Sequence, residues 1–341
     1  MYYSMKELKE KAEKSMNRKQ NYLAALNHQP TEWTPSGFDC ASIGFDDLWF
    51  EKGPAGGGYD GFGVKWIRPA SGMGAPIPAP GEFALTDVLE WKKLQFPDVD
   101  SFDWEGLFAP FLASVDRNEL AVDFGFGNGQ FERLGALMGF EEALMAMYEE
   151  PEATYDLLSA ITDYKIKVVE KVAQYLHPDS LTSFDDTCTQ MSPFMSPDTY
   201  EELILPQHKR LNDACREHGI IPVLHCCGNA EALVPYFIEE GDAAWSSVQP
   251  VNDIVALLDK YGDKLTLIGG FDTNGPAGFS LKEDIVRADV RRCMSSYGNR
   301  QGYIFRGFVT VSDENKHLAP VFSAAMLDEY NKCLAEMRMS A

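Results

Sequence analysis

Ile220-Ile-Pro-Val-Leu-His-Cys-Cys-Gly-Asn229 is a short apolar run with Gly219 before it and Gly228 behind it, the pattern of a buried strand bounded by turn residues. Side chains alternate between faces along a strand. His225 and Cys227 are therefore expected on one side and Cys226 on the other. An imidazole and a thiol two residues apart at a strand end are two ligands for a borderline metal such as zinc. A core strand with a satisfied histidine and inert buried cysteines fits the same residues, and at this point both readings stand.

Outward from this stretch the chain keeps a regular beat. Downstream come a helix at 231–240, a strand at 243–248, a helix at 254–261 and a strand at 265–272. A helix at 282–297, a strand at 303–309 and a closing helix at 319–337 follow. Upstream, 180–185 reads as a strand, and Ser196-Pro-Asp-Thr opens a helix reaching residue 218 with a serine cap and proline in the first turn. Leu157, Leu158, Ile161, Ile166, Val169 and Val172 mark the apolar face of a helix over 151–176. Leu120-Ala-Val-Asp-Phe-Gly-Phe126 is a strand followed by helix through Met147.

Strands alternating with helices predict a parallel α/β sheet. The spacing suits a (β/α)8 TIM barrel whose remaining strands come from residues 30–118. A doubly wound open sheet is the alternative, but Gly125-Phe-Gly-Asn-Gly129 lacks the spacing of its phosphate loop. Residues 5–27 carry an amphipathic helical pattern. From Thr34 to about residue 80 the chain is rich in Gly and Pro, and Tyr59-Asp-Gly-Phe-Gly-Val-Lys-Trp66 predicts a strand pair around an Asp-Gly turn. Residues 1–341 are thus expected to form one barrel domain. Residues 1–118 would give an N-terminal extension, a lid segment and the first strands, and 119–341 the regular βα units.

The 341 residues carry 52 acids against 30 bases, a net charge of −22. Such a surface repels nucleic acid and anionic membranes. Seven irregularly spaced cysteines do not make a disulfide framework. Residues 1–20 show no apolar signal core, and no run of about 18 apolar residues predicts a membrane span. A cytoplasmic location is expected.

In a parallel barrel the chemistry sits at the carboxyl ends of the strands. Those positions hold Asn128, Gln130, Asp185, Asp186, Cys188, His225, Cys227, Gln249, Asp272 and Arg306. Asp186, Asp272, Gln249 and Arg306 are the candidate catalytic groups, and Asn128, Gln130 and Asp185 the candidate substrate-binding ones. Each has a plainer alternative: Asp185 and Asp186 as turn caps, Asp272 in an Asx turn, Arg306 as a partner of one of the acids.

Ser183-Phe-Asp-Asp-Thr-Cys-Thr-Gln190, Met195-Ser-Pro-Asp-Thr-Tyr-Glu-Glu-Leu-Ile-Leu-Pro-Gln-His-Lys-Arg210 and the His-Cys-Cys-Gly-Asn ending at 229 resemble the uroporphyrinogen decarboxylase superfamily. Arg18-Lys-Gln-Asn-Tyr-Leu-Ala-Ala-Leu-Asn-His28, Asp60-Gly-Phe-Gly-Val-Lys-Trp66 and Phe96-Pro-Asp98 are similar to its methyltransferase branch. The resemblance implies a (β/α)8 barrel and methyl transfer between a small O-, N- or S-methyl compound, or a thiol acceptor, and a corrinoid carried on a separate protein. It also implies zinc as Lewis acid, held by His225, Cys227 and a later cysteine. Gly307-Phe-Val-Thr-Val-Ser-Asp313 contains no cysteine. Cys188 is therefore the first candidate for the third ligand, with Cys226, Asp186 and Asp272 behind it. The decarboxylases of the superfamily grip their substrate with N-terminal arginines, and residues 29–60 hold none. A metal-free decarboxylase and a non-catalytic member that only docks a corrinoid protein are the alternatives.

Overall fold

The computed structural model describes residues 15–44, 48–54, 56–69 and 76–340. The helical pattern expected before residue 15, and parts of the Gly/Pro-rich segment, lie outside them. β1 (Cys40–Ile43) is followed by three short strands, β2 (Gly58–Tyr59), β3 (Lys65–Ile67) and β4 (Ile77–Pro78), which pair antiparallel in a small separate sheet. β5 (Ala121–Phe126), β6 (Ser180–Phe184), β7 (Ile221–His225), β8 (Ala244–Val248), β9 (Thr266–Gly270) and β10 (Tyr303–Arg306) then alternate with helices. With β1 they form a seven-stranded parallel sheet in chain order. Ser36, just before β1, bridges Phe305 of β10 in parallel, and the Phe305 N–H donates to the Pro35 carbonyl at 2.9 Å. The sheet thus curls back on itself in a TIM-barrel-like fold.

Residues 30–118 were expected to supply the remaining strands of an eight-stranded barrel. Among the described residues they supply one, β1, and the strand pair around Asp60-Gly61 builds the separate sheet instead. The physical reason lies in length: β2 to β4 are two or three residues long, too short to cross a barrel wall. The strands that do cross it are buried on both faces. Every residue of β5, β8 and β9 is buried, as a parallel sheet between core and helices requires.

One end of the barrel is stoppered. Tyr22, Ala25 and Leu26 of the helix Arg18–Leu26 pack with the inward side chains Ala121, Val223, Ala244, Ile268 and Ile304. Thr266 Oγ1 donates to the Ala25 carbonyl at 2.7 Å, and His28 Nε2 meets the Ala243 carbonyl at 2.9 Å. With the amino ends of the strands closed by an apolar helix face, interior space opens toward their carboxyl ends.

The segment between β1 and β3 is pinned from below by charge. Arg133 reaches Asp60 at 2.6 Å and Glu51 at 3.7 Å, and Lys165 reaches Glu51 at 3.3 Å; none of the four side chains has any exposed surface. Asp60 also accepts from the Phe62 and Val64 N–H groups and from Trp66 Nε1, each at 2.9 Å. Two cations and two anions balance, and the turn is tied to the helices Gln130–Met138 and Pro151–Tyr175. No helix among the described residues is long and apolar enough to cross a membrane.

Candidate active site

A cavity of about 630 Å³ opens at the carboxyl ends of the strands, with Asp123, Phe184, Asp186, His225 and Arg306 in its wall. Gly44 and Lys52, from the segment after β1, close one side of it.

His225 is the last residue of β7, and its ring stacks on Phe184 at 4.3 Å between centroids. Nδ1 lies 3.4 Å from Ser246 Oγ on the neighbouring strand. Nε2 is left facing the Cys227 sulfur at 3.4 Å and an Asp186 oxygen at 4.0 Å. Burial, then Arg306 and Lys52, push the imidazole down to about 3, so it is neutral with a lone pair to offer. The Cys227 N–H donates to Asp186 Oδ1 at 2.7 Å, which ties the carboxylate to the loop. Gly228 has φ +88°, and a Cβ there would sit 2.4 Å from the Thr189 carbonyl oxygen, so this turn requires glycine. Gln249 accepts from the Gly228 N–H at 3.2 Å and from Gln190 Nε2 at 2.8 Å, which fixes the same loop.

Asp186, His225 and Cys227 bring one ligand atom each within 4.8 Å of one another. Burial, Asp186 and Glu132 raise the Cys227 thiol, and burial, with Asp185 adding, raises Asp186 to about 6. Crowding a thiol and two carboxylates in a buried wall is unfavourable until a cation neutralises them. This donor set of one sulfur, one nitrogen and one oxygen therefore fits zinc.

The structure brings Asp186, and not Cys188, to His225 and Cys227. Cys188 is buried beside Thr187, whose Oγ1 lies 3.4 Å from the Cys226 sulfur and 4.0 Å from that of Cys188. The Cys226 sulfur lies against Thr187, whereas that of Cys227 faces His225. Asp185 also turns from the cavity. It accepts from the Phe131 and Glu132 N–H groups at 3.1 and 2.8 Å, at the start of a helix, and pairs with His208 at 2.7 Å. Burial opposes charge on His208, but Glu240 and Asp185 outweigh it and raise its pKa well above the usual value.

Asn128 donates to the Glu51 carbonyl at 2.9 Å and accepts from Lys165 at 2.5 Å, so it serves the buried charge cluster. Gln130 is buried and donates to the Gln207 carbonyl at 3.4 Å. Asp272 lies two residues past β9, with its N–H donating to Asp289 at 2.8 Å, and is absent from the cavity wall. The expected strand there ends at Gly270, and the chain has already turned. Arg306, the end of β10, does line the cavity.

Sequence reasoning missed Asp123, Glu132 and Lys52, all in the wall. Asp123 left a signal, since a carboxylate inside a fully buried strand demands partners. It accepts from Ser180 Oγ at 2.7 Å and Thr182 Oγ1 at 3.0 Å. Burial pushes it up to about 6, against the pull of the Ser180 hydrogen bond and Arg306. Met191, Val251, Phe279 and Phe308, in the connections that follow β6, β8, β9 and β10, stand exposed by 83, 41, 47 and 50%.

The family model described as Uroporphyrinogen decarboxylase (URO-D) matches residues 116–307. The chain is 24% identical over 177 residues to a uroporphyrinogen decarboxylase of Carboxydothermus hydrogenoformans, covering 50% of this chain and 46% of that one. It is 28% identical over 111 residues to the methylated-thiol--coenzyme M methyltransferase of Methanosarcina mazei, covering 33% of this chain and 29% of that one. The chain thus spans less than half the length of these curated relatives. A solved methyltransferase from Methanosarcina mazei superposes with a TM-score of 0.68 over 95% of this chain and all of that one, at 13% identity. That likeness is one of fold.

Proposed function

Because the chain belongs to the uroporphyrinogen decarboxylase family, and its cavity carries a three-donor cluster, we propose that it is a methyltransferase of that family. It moves a methyl group between a small methylated compound and a corrinoid on a separate protein, with zinc held by Asp186, His225 and Cys227. The juxtaposition of those three side chains carries the reading. Bound there, zinc supplies Lewis acidity, polarising the heteroatom that loses methyl or holding an acceptor thiol as thiolate.

The chain's own residues prepare that chemistry. Ser246 and Phe184 orient the His225 ring, and Gln249 with Gly228 holds Cys227 in register. Gly44 and Lys52 line one side of the cavity. In the transfer, the bond between methyl carbon and heteroatom breaks with its electron pair left on the heteroatom. The methyl passes to the electron pair of the reduced corrinoid, and the leaving atom takes a proton from water.

Decarboxylation is the second reading, favoured by the names of two relatives. A tetrapyrrole bearing several carboxylates would meet a wall in which Asp123, Glu132 and Asp186 outnumber Lys52 and Arg306, which disfavours it. Mixing the zinc-loaded protein with a reduced corrinoid protein and a panel of methyl ethers, methylamines and methyl thioethers tests the two. A change in the cobalt absorption with one of them is expected. Carbon dioxide release from an acid without metal, and no cobalt change with any compound, would overturn the proposal.

The apolar rim supports a partner that docks over the mouth. Met191→Asp combined with Phe279→Asp is expected to weaken binding of the corrinoid protein by about tenfold or more, because charge would be buried at the centre of the interface. Zinc content should not change. Titration calorimetry measures it, and an unaltered affinity would move the docking surface elsewhere.

A further inference from the structure

We propose that His208 is a positioning residue of this site: through Asp185 it fixes where the cavity carboxylates Asp186 and Glu132 stand. Neither the metal-ligand cluster nor the transfer step uses His208, and it is not in the cavity wall. It sits in the helix Leu205–Glu217, which follows a π-helical turn over Tyr200–Ile204 and has Pro206 in its first turn. Only 3% of His208 is exposed, and Asp185 and Glu240 on either side of it have no exposed surface. Its Nε2 meets Asp185 Oδ2 at 2.7 Å and its Nδ1 meets Glu240 Oε2 at 3.1 Å, with the Tyr200 hydroxyl 3.4 Å from the same nitrogen. Both ring nitrogens thus face carboxylates, and an imidazolium donating through both satisfies them.

Asp185 passes that anchorage on in two directions. Gly129, at the cap position of the helix Gln130–Met138, has no side chain with which to cap it. Asp185 reaches in from the end of β6 and takes its place, accepting from the Phe131 and Glu132 N–H groups. The fit leaves no spare room: a Cβ on Gly129 would sit 2.2 Å from Asp185 Cβ and Cγ. Glu132 is the third residue of that helix, so the borrowed cap decides where its side chain enters the cavity wall. In the other direction the Asp185 N–H donates to the His225 carbonyl at 2.9 Å, and the next residue is Asp186.

The need for His208 follows from burial. Without it, Asp185 Oδ2 keeps one neutral donor, the Phe131 N–H at 3.1 Å, the longer of the two cap bonds. A buried carboxylate oxygen short of donors swings toward water, and the nearby open space is the cavity that Glu132 and Asp186 line. Such a swing carries Asp186 with it, because the two are consecutive and lie past Phe184, the last paired residue of β6. Where the metal binds, the same anchorage sets one of its ligand oxygens. That part rests on the zinc reading above; the placing of the two carboxylates does not.

The Cys227 N–H reports the outcome without any metal, because it donates to Asp186 Oδ1 at 2.7 Å. An asparagine amide nitrogen reaches where Nδ1 stands, and a glutamine amide nitrogen where Nε2 stands. His208→Asn thus keeps the bond to Glu240 and drops that to Asp185, and His208→Gln does the reverse. Nuclear magnetic resonance of the nitrogen-labelled, metal-free chain should show the Cys227 amide signal displaced in His208→Asn and its exchange with solvent at least about tenfold faster. His208→Gln should resemble the unaltered protein. Asp185→Asn should displace the signal too, and the double variant no further than the larger single change, since both act through one group. Zinc affinity, by competition with a chromogenic chelator, should fall about tenfold or more in His208→Asn and hold in His208→Gln. Thermal midpoints control for folding; should His208→Asn not fold, Asp185→Asn and His208→Gln decide. A Cys227 signal unmoved in folded His208→Asn or Asp185→Asn, or moved in His208→Gln, would overturn the proposal. So would additive changes in the double variant, or a zinc affinity indifferent to His208→Asn. If the unaltered protein takes up no zinc, the metal reading falls, and the amide signal still decides the role of His208.

Discussion

Cys227→Ser is expected to empty the zinc site and lower methyl transfer by at least about a hundredfold, since even outer-shell partners of a metal ligand are worth about 10–100-fold. His225→Ala should do the same. Cys226→Ser and Cys188→Ser should keep their zinc, because both sulfurs lie around Thr187, away from the cluster. Asp186→Asn is the discriminating variant. It preserves the shape, and an amide oxygen still accepts from the Cys227 N–H, but it removes the charge that a divalent ion needs. Its zinc should be bound markedly more weakly than in the unaltered protein. Zinc per chain, measured after purification without chelator and again after incubation with the ion, decides each case. Retention in Asp186→Asn with loss in Cys188→Ser would mean that the loop rearranges around a different ligand set. An unaltered protein that takes up no zinc would end the metal proposal and favour the decarboxylase reading.

The second large effect belongs to the buried charge cluster. Asp60→Ala removes the closest partner of Arg133 at a site with no exposed surface. Breaking a buried pair from one side costs about 3–5 kcal/mol, most of it from the charge left unpaired. Two capping bonds, to the Phe62 and Val64 N–H groups, are lost as well. Urea unfolding should show the midpoint fall accordingly. Adding Arg133→Met should recover part of the loss, since an apolar side chain in that cavity no longer needs an anion. A loss under about 1 kcal/mol would mean that Glu51 alone holds Arg133. The consequence reaches the active site, because the same segment carries Lys52 and Gly44 into the cavity wall. Loosening it should lower activity even where the metal ligands are untouched.

Much of this architecture was written locally. The apolar runs from 120 onward, their turn residues and the helices between them follow from short-range periodicity, and they became β5 to β10 with little displacement. Alternation along β7 reaches only to its last residue, His225; past it, the Cys227 N–H bond to Asp186 and the glycine turn at Gly228 hold Cys227 beside the imidazole. Asp185 and Asp186 show where that logic stops. They follow Phe184, the last residue of β6, where alternation no longer governs direction. One enters a helix start and a histidine pair; the other reaches the metal-ligand cluster. Of the four candidates for a third ligand, Cys188, Cys226, Asp186 and Asp272, the turn after β6 brings Asp186 to His225 and Cys227.

Lys52 and Glu132 have no local signature at all, and Arg306 has only its place at a strand end. Lys52, Glu132 and Arg306 are separated by 80 and 174 positions, and only the curling of the sheet sets them around one space. That Arg306 makes no hydrogen bond or ion pair among the described residues, while Arg133 reaches both Asp60 and Glu51, is invisible in a sequence in which both are simply arginines. The difference is made by packing: Arg133 is closed in by the segment it holds down, whereas Arg306 ends a strand and lines the cavity.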